Sequence, residues 1–313
     1  MARDTLTVRP AGPGDAPDLC ALLNAVDRAE IGRPETDLGS VEAELNHPGV
    51  DLATDSWLAL QGGRPVGYAL VCADSAPGRI DGDHCVLPGR GRAALRLLQL
   101  MEARARALAG GAPGARLRIQ LNTRPTLDLS LLTARGYRSV RRHQVLTRAL
   151  SPAADLPPEP PAGVTLRDCA ADPADRRRAH ALVEDTFAAH FGHTARPYEA
   201  WLDHLGGRGL DWSLVWIASL PGQDDAAVLL TRDDRTSMGW ISRLGVREEL
   251  RGRGLGRFLL RHAFAVYAAR GRGTVGLGVD TLNATGALAL YEAHGMAPHY
   301  AVDTWDLALH PQG

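Results

Sequence analysis

No lysine occurs anywhere in the 313 residues; all 35 basic side chains are arginine, and 36 acidic ones leave a net charge of −1. That balance offers no basic surplus to nucleic acid or to an anionic membrane face, and it suits small neutral or mixed-charge substrates. With alanine, glycine and proline abundant, the missing lysine reads as the mark of a GC-rich genome rather than of function. Cysteine is scarce: Cys20, Cys72, Cys85 and Cys169 stand far apart with no C-x-x-C among them. The thiols are therefore expected to be reduced and buried, and no metal site is expected. No apolar run approaches the roughly 20 residues of a membrane-spanning helix. The chain opens directly on a strand pattern, Thr5-Leu6-Thr7-Val8-Arg9, with no leader-like segment, so a cytoplasmic protein without a membrane partner is expected.

What is present is organised as a repeat. Ser151 to Ala162 carries five prolines and no periodic apolar pattern, which reads as a semi-rigid linker between domains at 1–150 and 163–313. On each side the same order appears: a strand (Leu6–Pro10; Val164–Cys169), a helical pattern (Asp15–Arg28; Pro173–Phe191), then two strands (Ser56–Gln61 and Pro65–Cys72; Leu214–Ser219 and Ala226–Thr231). Each half continues with a strand ending in valine (Val86; Val246), a Gly/Arg loop, a long helix (Ala94–Leu108; Leu255–Arg270) and a further strand (Ala115–Leu121; Thr274–Val279). An asparagine, a short helix and a glycine turn follow, Asn122 to Gly136 and Asn283 to Gly295, at nearly the same offset, so the halves read as an internal duplication.

The halves differ where chemistry is expected. Between strand and helix the second half reads Arg251-Gly252-Arg253-Gly254-Leu255-Gly256. Without Cβ atoms at 252, 254 and 256 the backbone can turn tightly and approach an anion, toward which the first N–H groups of the helix point. The expected guest is a pyrophosphate. A dinucleotide fingerprint beginning at Gly252 needs a glycine where Arg257 stands, which disfavours that reading. The first half has a shorter loop, Gly89-Arg90-Gly91-Arg92-Ala93-Ala94, with methyl groups in the way, and Leu132 where the second half has Tyr291. It reads as catalytically silent.

These residues resemble the GCN5-related N-acetyltransferase (GNAT) family. Its pyrophosphate loop, Q/R-x-x-G-x-G/A, is matched at Arg251 to Gly256, and its later Asn, Ala, Tyr and Gly signature at Asn283, Ala287, Tyr291 and Gly295. The resemblance implies an α/β fold of two tandem GNAT-like domains, each a mixed, mostly antiparallel sheet flanked by helices. The tandem arrangement with an eroded first copy looks most like the mycothiol synthase group and its relatives. One departure is plain: where that group has an acidic residue on the strand before the loop, this chain has Trp240.

The resemblance assigns acetyl-CoA as co-substrate. The amides of Gly252, Gly254 and Gly256 take the pyrophosphate, backbone groups of Leu244 and Val246 the pantetheine arm, and Asn283 belongs to the same site. Arg251, Arg253 and Arg257 add charge, or are solvated surface. Tyr291 is implied as the acid that protonates the departing thiolate, against a plain reading as a core aromatic. With thiols near 8.5 and phenols near 10 that transfer is uphill by roughly 2 kcal/mol, which a nearby positive dipole can offset.

A base is harder to name. His190 and His193 fall where the fold places the acceptor-binding helix and loop, though each also reads as a surface or capping histidine. Asp280 and Glu248 are further candidates, with solvation or capping as their plainer role. Trp240 either packs in the core or walls the acceptor cavity. An α-amino group, near pKa 8, needs less help from a base than a lysine-like amine.

The expected activity is direct transfer of an acetyl group from acetyl-CoA to a small primary amine in a ternary complex within the second domain, the first serving as scaffold in a monomer or weak homodimer. Rival expectations are a silent acyl-CoA-binding sensor and, among enzymes, a mycothiol-type or amino-sugar resistance acetyltransferase.

Overall fold

A computed structural model of the chain describes residues 5–47, 49–73, 78–206, 210–222, 225–235, 238–282 and 285–309. Contacts divide the chain into two compact units, Met1–His143 with Tyr300–Gly313, and Gln144–His299.

In the first unit β1 (Leu6–Arg9) is followed by α1 (Ala16–Ile31), α2 (Leu38–Leu45), the single turn α3 (Leu52–Asp55), the meander β2 (Ser56–Gln61), β3 (Arg64–Ala73) and β4 (Arg79–Val86), then α4 (Gly91–Ala109), β5 (Arg116–Asn122) and α5 (Leu129–Ala134). β6 (Arg138–Ala149) leads out of this unit. α1 buries Ala16, Leu19, Leu22 and Val26, one stripe at helical spacing, and stops at Gly32, whose φ of 86° ends the helix in the left-handed region. Strands β1 to β4 pair antiparallel, and β4 then pairs parallel with β5 over Arg79–Gly82 and Arg116–Ile119. The α4 face of the sheet packs Leu97, Leu98, Met101, Leu117 and Ile119 into one core, and α1 and α2 cover the other face with Leu19, Leu22, Val41 and Leu58.

The second unit repeats the plan: β7 (Thr165–Asp168), α6 (Pro173–Phe187), α7 (Tyr198–Gly206), β8 (Val215–Ser219), β9 (Asp225–Arg232), β10 (Gly239–Val246), α8 (Leu255–Ala269), β11 (Thr274–Asp280) and α9 (Ala287–Ala293). β7 through β10 are antiparallel neighbours, and β10 pairs parallel with β11. α8 packs Leu255, Phe258, Leu259 and Phe264 on one face, while α6 sets Leu182 and Val183 against Val215, Ile217 and Val228 on the other. α6 stops at Phe187, short of the Phe191 expected from sequence, because the chain then turns through His190 N–H to the Phe187 carbonyl (2.8 Å) and Gly192 (φ 71°).

The proline-rich segment expected to link the halves lies within the second unit. There Asp155 accepts from the Ser151 amide (2.8 Å) and pairs with Arg148 (2.7 Å). The last strand, β12 (Ala297–Ala308), gives its residues from Tyr300 onward to the first unit, where Val302–Ala308 pair antiparallel with β5. Of the cysteines expected to be buried, only Cys169 is fully so; Cys20, Cys72 and Cys85 are partly exposed, and none of the four is in a disulfide. Among the described residues no three metal-ligating side chains gather, and no helix is long and apolar enough to cross a membrane.

β12 carries an ion pair that the first unit cannot easily lose. Arg118 on β5 donates to both carboxylate oxygens of Asp306, at 2.8 and 3.0 Å, and both side chains are nine-tenths buried. Asp306→Ala removes the acceptor from a desolvated guanidinium and is expected to cost about 3–5 kcal/mol in denaturant unfolding. Arg118→Met with Asp306→Leu is expected to recover most of that loss.

Candidate active site

β10 and β11 are paired only from Gly239 to Ile241, opposite Val275 to Leu277. β10 then bulges between Ile241 and Arg243 while it stays paired with β9 as far as Val246. From the bulge onward β11 no longer pairs with β10, so one edge of residues 242–246 faces a cleft of about 350 Å³. Its walls include Phe187 and His190, Arg243 to Val246, the loop at Arg251, Gly252 and Gly254, Gly256 and Arg257, Val279, Asp280 and Tyr291.

The bulge also sets which way side chains point. Regular alternation would place Gly239, Ile241, Arg243 and Gly245 on one face. Gly239 lies against Tyr267 of α8 and Ile241 sits in the α8-side core. After the bulge, Gly245 lies against Thr186 and Phe187 of α6, and Leu244 and Val246 reach toward Gly256 on the α8 side. The extra residue has exchanged the faces.

At the loop, Gly252 and Gly254 have φ of 78° and 82°; a Cβ would meet open space at 252 and an ordinary contact with Pro161, 3.9 Å away, at 254, so it is backbone conformation that calls for glycine there. Gly256 has ordinary φ; a Cβ on it would lie 3.4 Å from Leu290. Gly254 caps α8 without a side-chain acceptor, and its carbonyl accepts from Phe258 at 2.9 Å. Among the described residues nothing accepts from the N–H groups of Gly252 through Arg257. Six successive free donors at the positive end of a helix form an anion cradle. Arg251 and Arg257 line the cleft. Arg251 Nε donates to the Val246 carbonyl at 3.3 Å, whereas Arg253 is exposed and outside the cleft wall.

Tyr291 is buried in the α8-side core yet lines the cleft, and its hydroxyl has no hydrogen-bond partner among the described residues. Its carbonyl accepts from both His294 and Met296, closing α9 at Gly295 (φ 78°). Burial pushes the phenol up to about 12, opposite to the help expected from a positive dipole. Asn283 lies outside the described residues.

The remaining expected residues part company. His190 lines the cleft, its ring 4.4 Å from that of Phe187; burial first, then the Arg243 charge, holds its imidazole below the ordinary 6.5. His193 faces away, bonded through Nε2 to Glu184 at 3.1 Å. Trp240 is not part of the cleft wall; it covers Gly276 and Gly278 of β11, with Arg235 stacked 3.8 Å above its ring. Asp280 lines the cleft and spends one oxygen on the Leu282 amide (2.9 Å). Glu248 is exposed beside Arg251, 3.9 Å away. Phe187 and Arg243 went unremarked in the sequence, although a glycine at 245 in mid-strand signals a close neighbour and Arg243 interrupts an apolar strand.

In the first unit the equivalent opening is filled by the chain itself. Thr126 donates its hydroxyl to the Val86 carbonyl (2.7 Å), the same oxygen lies 3.0 Å from the Glu30 carboxyl, Glu30 accepts from the Thr126 amide, and His84 reaches the Ala94 carbonyl at 3.3 Å.

A parallel strand pair that parts over a glycine-built helix start defines a class of acyl transferase. A family model described as acetyltransferase (GNAT) domain matches residues 211–295, a stretch that holds the cleft floor, the cradle and Tyr291. Mycothiol acetyltransferase from Beutenbergia cavernae is 32% identical over 271 residues, covering 81% of this chain and 83% of that protein. The chain belongs to the GCN5-related N-acetyltransferase family, in its tandem form, and is an acetyltransferase. A GCN5-related N-acetyltransferase from Sphaerobacter thermophilus superposes with a TM-score of 0.82 at 27% identity, covering 100% of this chain and 98% of that one. A tandem GNAT protein from the clavulanic acid biosynthesis pathway shares the fold, with a TM-score of 0.72 at 20% identity over 99% and 100% of the two chains.

The cradle's geometry is testable by itself. Gly254→Ala forces a methyl-bearing residue into the left-handed region and is expected to cost about 1–2 kcal/mol in denaturant unfolding. Gly91→Ala, at the start of α4 with ordinary φ and open space, is expected to be neutral or stabilising by about 0.4–1 kcal/mol.

Proposed function

We propose that the chain transfers an acetyl group from acetyl-CoA directly to a small primary amine, within a ternary complex in the cleft of the second domain, residues 163–313. The first domain, residues 1–150, acts as scaffold. The observation that carries this reading is the run of free N–H groups from Gly252 to Arg257 beside the unpaired β10 edge. Those amides and the Arg251 and Arg257 side chains fit a pyrophosphate, and the β10 edge at Leu244 and Val246 fits the amides of a pantetheine arm. Acetyl-CoA supplies an acyl group activated as a thioester.

The chain's own contribution is positioning and charge stabilisation. Tyr291, protonated at all physiological pH values, presents an O–H donor toward negative charge developing on sulfur. His190, held neutral by its surroundings, is placed to take the proton that the amine loses. No cysteine lines the cleft, and burial pushes the Cys169 thiol up to about 12, so a covalent acyl-cysteine has no support.

A second reading takes its acceptor from the Beutenbergia relative, named a mycothiol acetyltransferase. Trp240 stands where the resemblance calls for an acidic residue, and it lies outside the cleft wall.

Calorimetry with acetyl-CoA is expected to show saturable binding, and Tyr291→Phe is expected to lower kcat by about 10- to 1,000-fold with that affinity unchanged. Ping-pong kinetics with a trapped acylated residue would exclude direct transfer. The pH dependence has a definite sign. Because the His190 pKa is lowered, its imidazole stays able to accept a proton as pH falls through 6.5. The acid limb of kcat/KM is therefore expected below 6.5, and to be absent in His190→Gln.

A further inference from the structure

Arg243 lines the cleft, and the reading above leaves it unused. One of its donors, Nη1, goes to the carbonyl of its own neighbour Ser242 at 2.7 Å, and its guanidinium lies 5.4 Å over the Phe187 ring. Among the described residues it forms no ion pair, unlike Arg118 with Asp306 and Arg167 with Asp175 and Asp225. Its side chain is exposed to solvent where it lines the cleft. With Nη1 spent on Ser242, the guanidinium keeps four N–H donors that an anion entering the cleft can use.

The anion is not the pyrophosphate. The cradle and the side chains of Leu244 and Val246 lie toward α8, whereas the bulge turns Arg243 toward α6, where Phe187 and His190 stand. His190 and Arg243 share the Phe187 ring as a platform, one ring centroid 4.4 Å from it and the other group 5.4 Å. A proton acceptor and a cation thus both contact Phe187 on the α6 side of the cleft, where an acceptor bearing an amine and a carboxylate can meet each of them.

We propose that the acceptor is a molecule of the amino-acid class, its carboxylate taken by Arg243 while its amine lies at His190. This deepens the acyl-transfer reading and rests on it. A dicarboxylic acyl chain would offer the same anion from another source, and the test separates the two.

Wild type, Arg243→Gln and Arg243→Lys, each with and without CoA, are titrated with glycine, L-alanine, L-leucine, L-phenylalanine and L-glutamate and with the corresponding α-amides; succinyl-CoA and butyryl-CoA are titrated in parallel. At least one acid is expected to bind wild type about 10- to 100-fold more tightly than its amide, the range of a charge-assisted bidentate contact. The gap is expected to shrink below about threefold in Arg243→Gln and to return in part in Arg243→Lys, with acetyl-CoA affinity the same in all three. With turnover present, the loss should appear in KM for the acid and leave KM for the amide unchanged. Amides that bind wild type as tightly as acids throughout, or an acid preference that survives Arg243→Gln, overturn the proposal. So does an Arg243-dependent preference for succinyl-CoA without one among the amines, which assigns the anion to the acyl chain. If acetyl-CoA fails to bind while the acid preference holds, the acyl-transfer reading falls and the carboxylate site stands.

Discussion

Three residue pairs hold β10 to β11, and everything at the site follows from where that pairing stops. Parallel strands joined by a crossover helix ordinarily stay hydrogen-bonded along their length, because an unpaired buried N–H or C=O costs on the order of 1–3 kcal/mol. Here the ladder ends at Ile241 and the next residue is a bulge. The strand remains rigid because β9 still pairs with its other edge, so the exposed donors and acceptors are fixed in space rather than lost to a loop. A guest that carries amides can satisfy them; water does so otherwise. The bulge has a second effect, since without it Arg243 and Gly245 would face α8 and the contact of Gly245 with Thr186 could not form.

The two units show how small a change converts such an opening into core. In the first, β4 and β5 also part after four pairs, at Gly82 and Ile119. The Val86 carbonyl, counterpart of the Val246 carbonyl, is satisfied internally by the Thr126 hydroxyl. Glu30, raised in pKa by burial, is held by the same threonine. The helix that follows buries Ala93 and Ala94 against that core, where α8 keeps Gly254 and Gly256. The Val246 carbonyl is met by Arg251 Nε at 3.3 Å, so the difference lies in the loop: among the described residues the N–H groups from Gly252 to Arg257 have no acceptor in the chain. The scaffold role proposed for the first half rests on that difference.

The strand and helix order, the duplication and the family were legible because they depend on local pattern: alternating apolar residues, helical stripes, and glycines where φ is positive, as at Gly252 and Gly254. The cradle was legible for the same reason. What escaped the sequence was set by non-local geometry. Swapping of β12 into the first unit depends on pairing with β5, nearly two hundred residues away, through contacts such as Arg118 with Asp306. Trp240 was open to two readings, core packing or the cavity wall, and the choice was set by the space that Gly276 and Gly278 leave on a strand later in the chain. His190 and His193 are three residues apart and indistinguishable by pattern, but the Gly192 turn sends one into the cleft and the other to Glu184. Arg243 could not be singled out because its distinction is the lack of a partner, which only the fold reveals.

Burial of Tyr291 constrains how negative charge on a leaving sulfur can be handled. A phenol raised to about 12 would have to give its proton to a thiolate whose own pKa is near 8.5, uphill by about 5 kcal/mol, more than the roughly 2 kcal/mol for unperturbed groups. Complete transfer in the empty-site environment is therefore poor chemistry. Hydrogen-bond donation needs no transfer, and for that task the same burial helps: the hydroxyl carries its proton at physiological pH, it has no competing acceptor among the described residues, and a low-dielectric setting strengthens its interaction with an anion. The desolvation that disfavours phenolate disfavours thiolate equally, so the two acidities move in parallel once sulfur enters the same pocket, and the gap narrows toward its unperturbed size. What suits Tyr291 to its place is then its fixed orientation, anchored by the two amides that bond its carbonyl, more than any enhanced acidity.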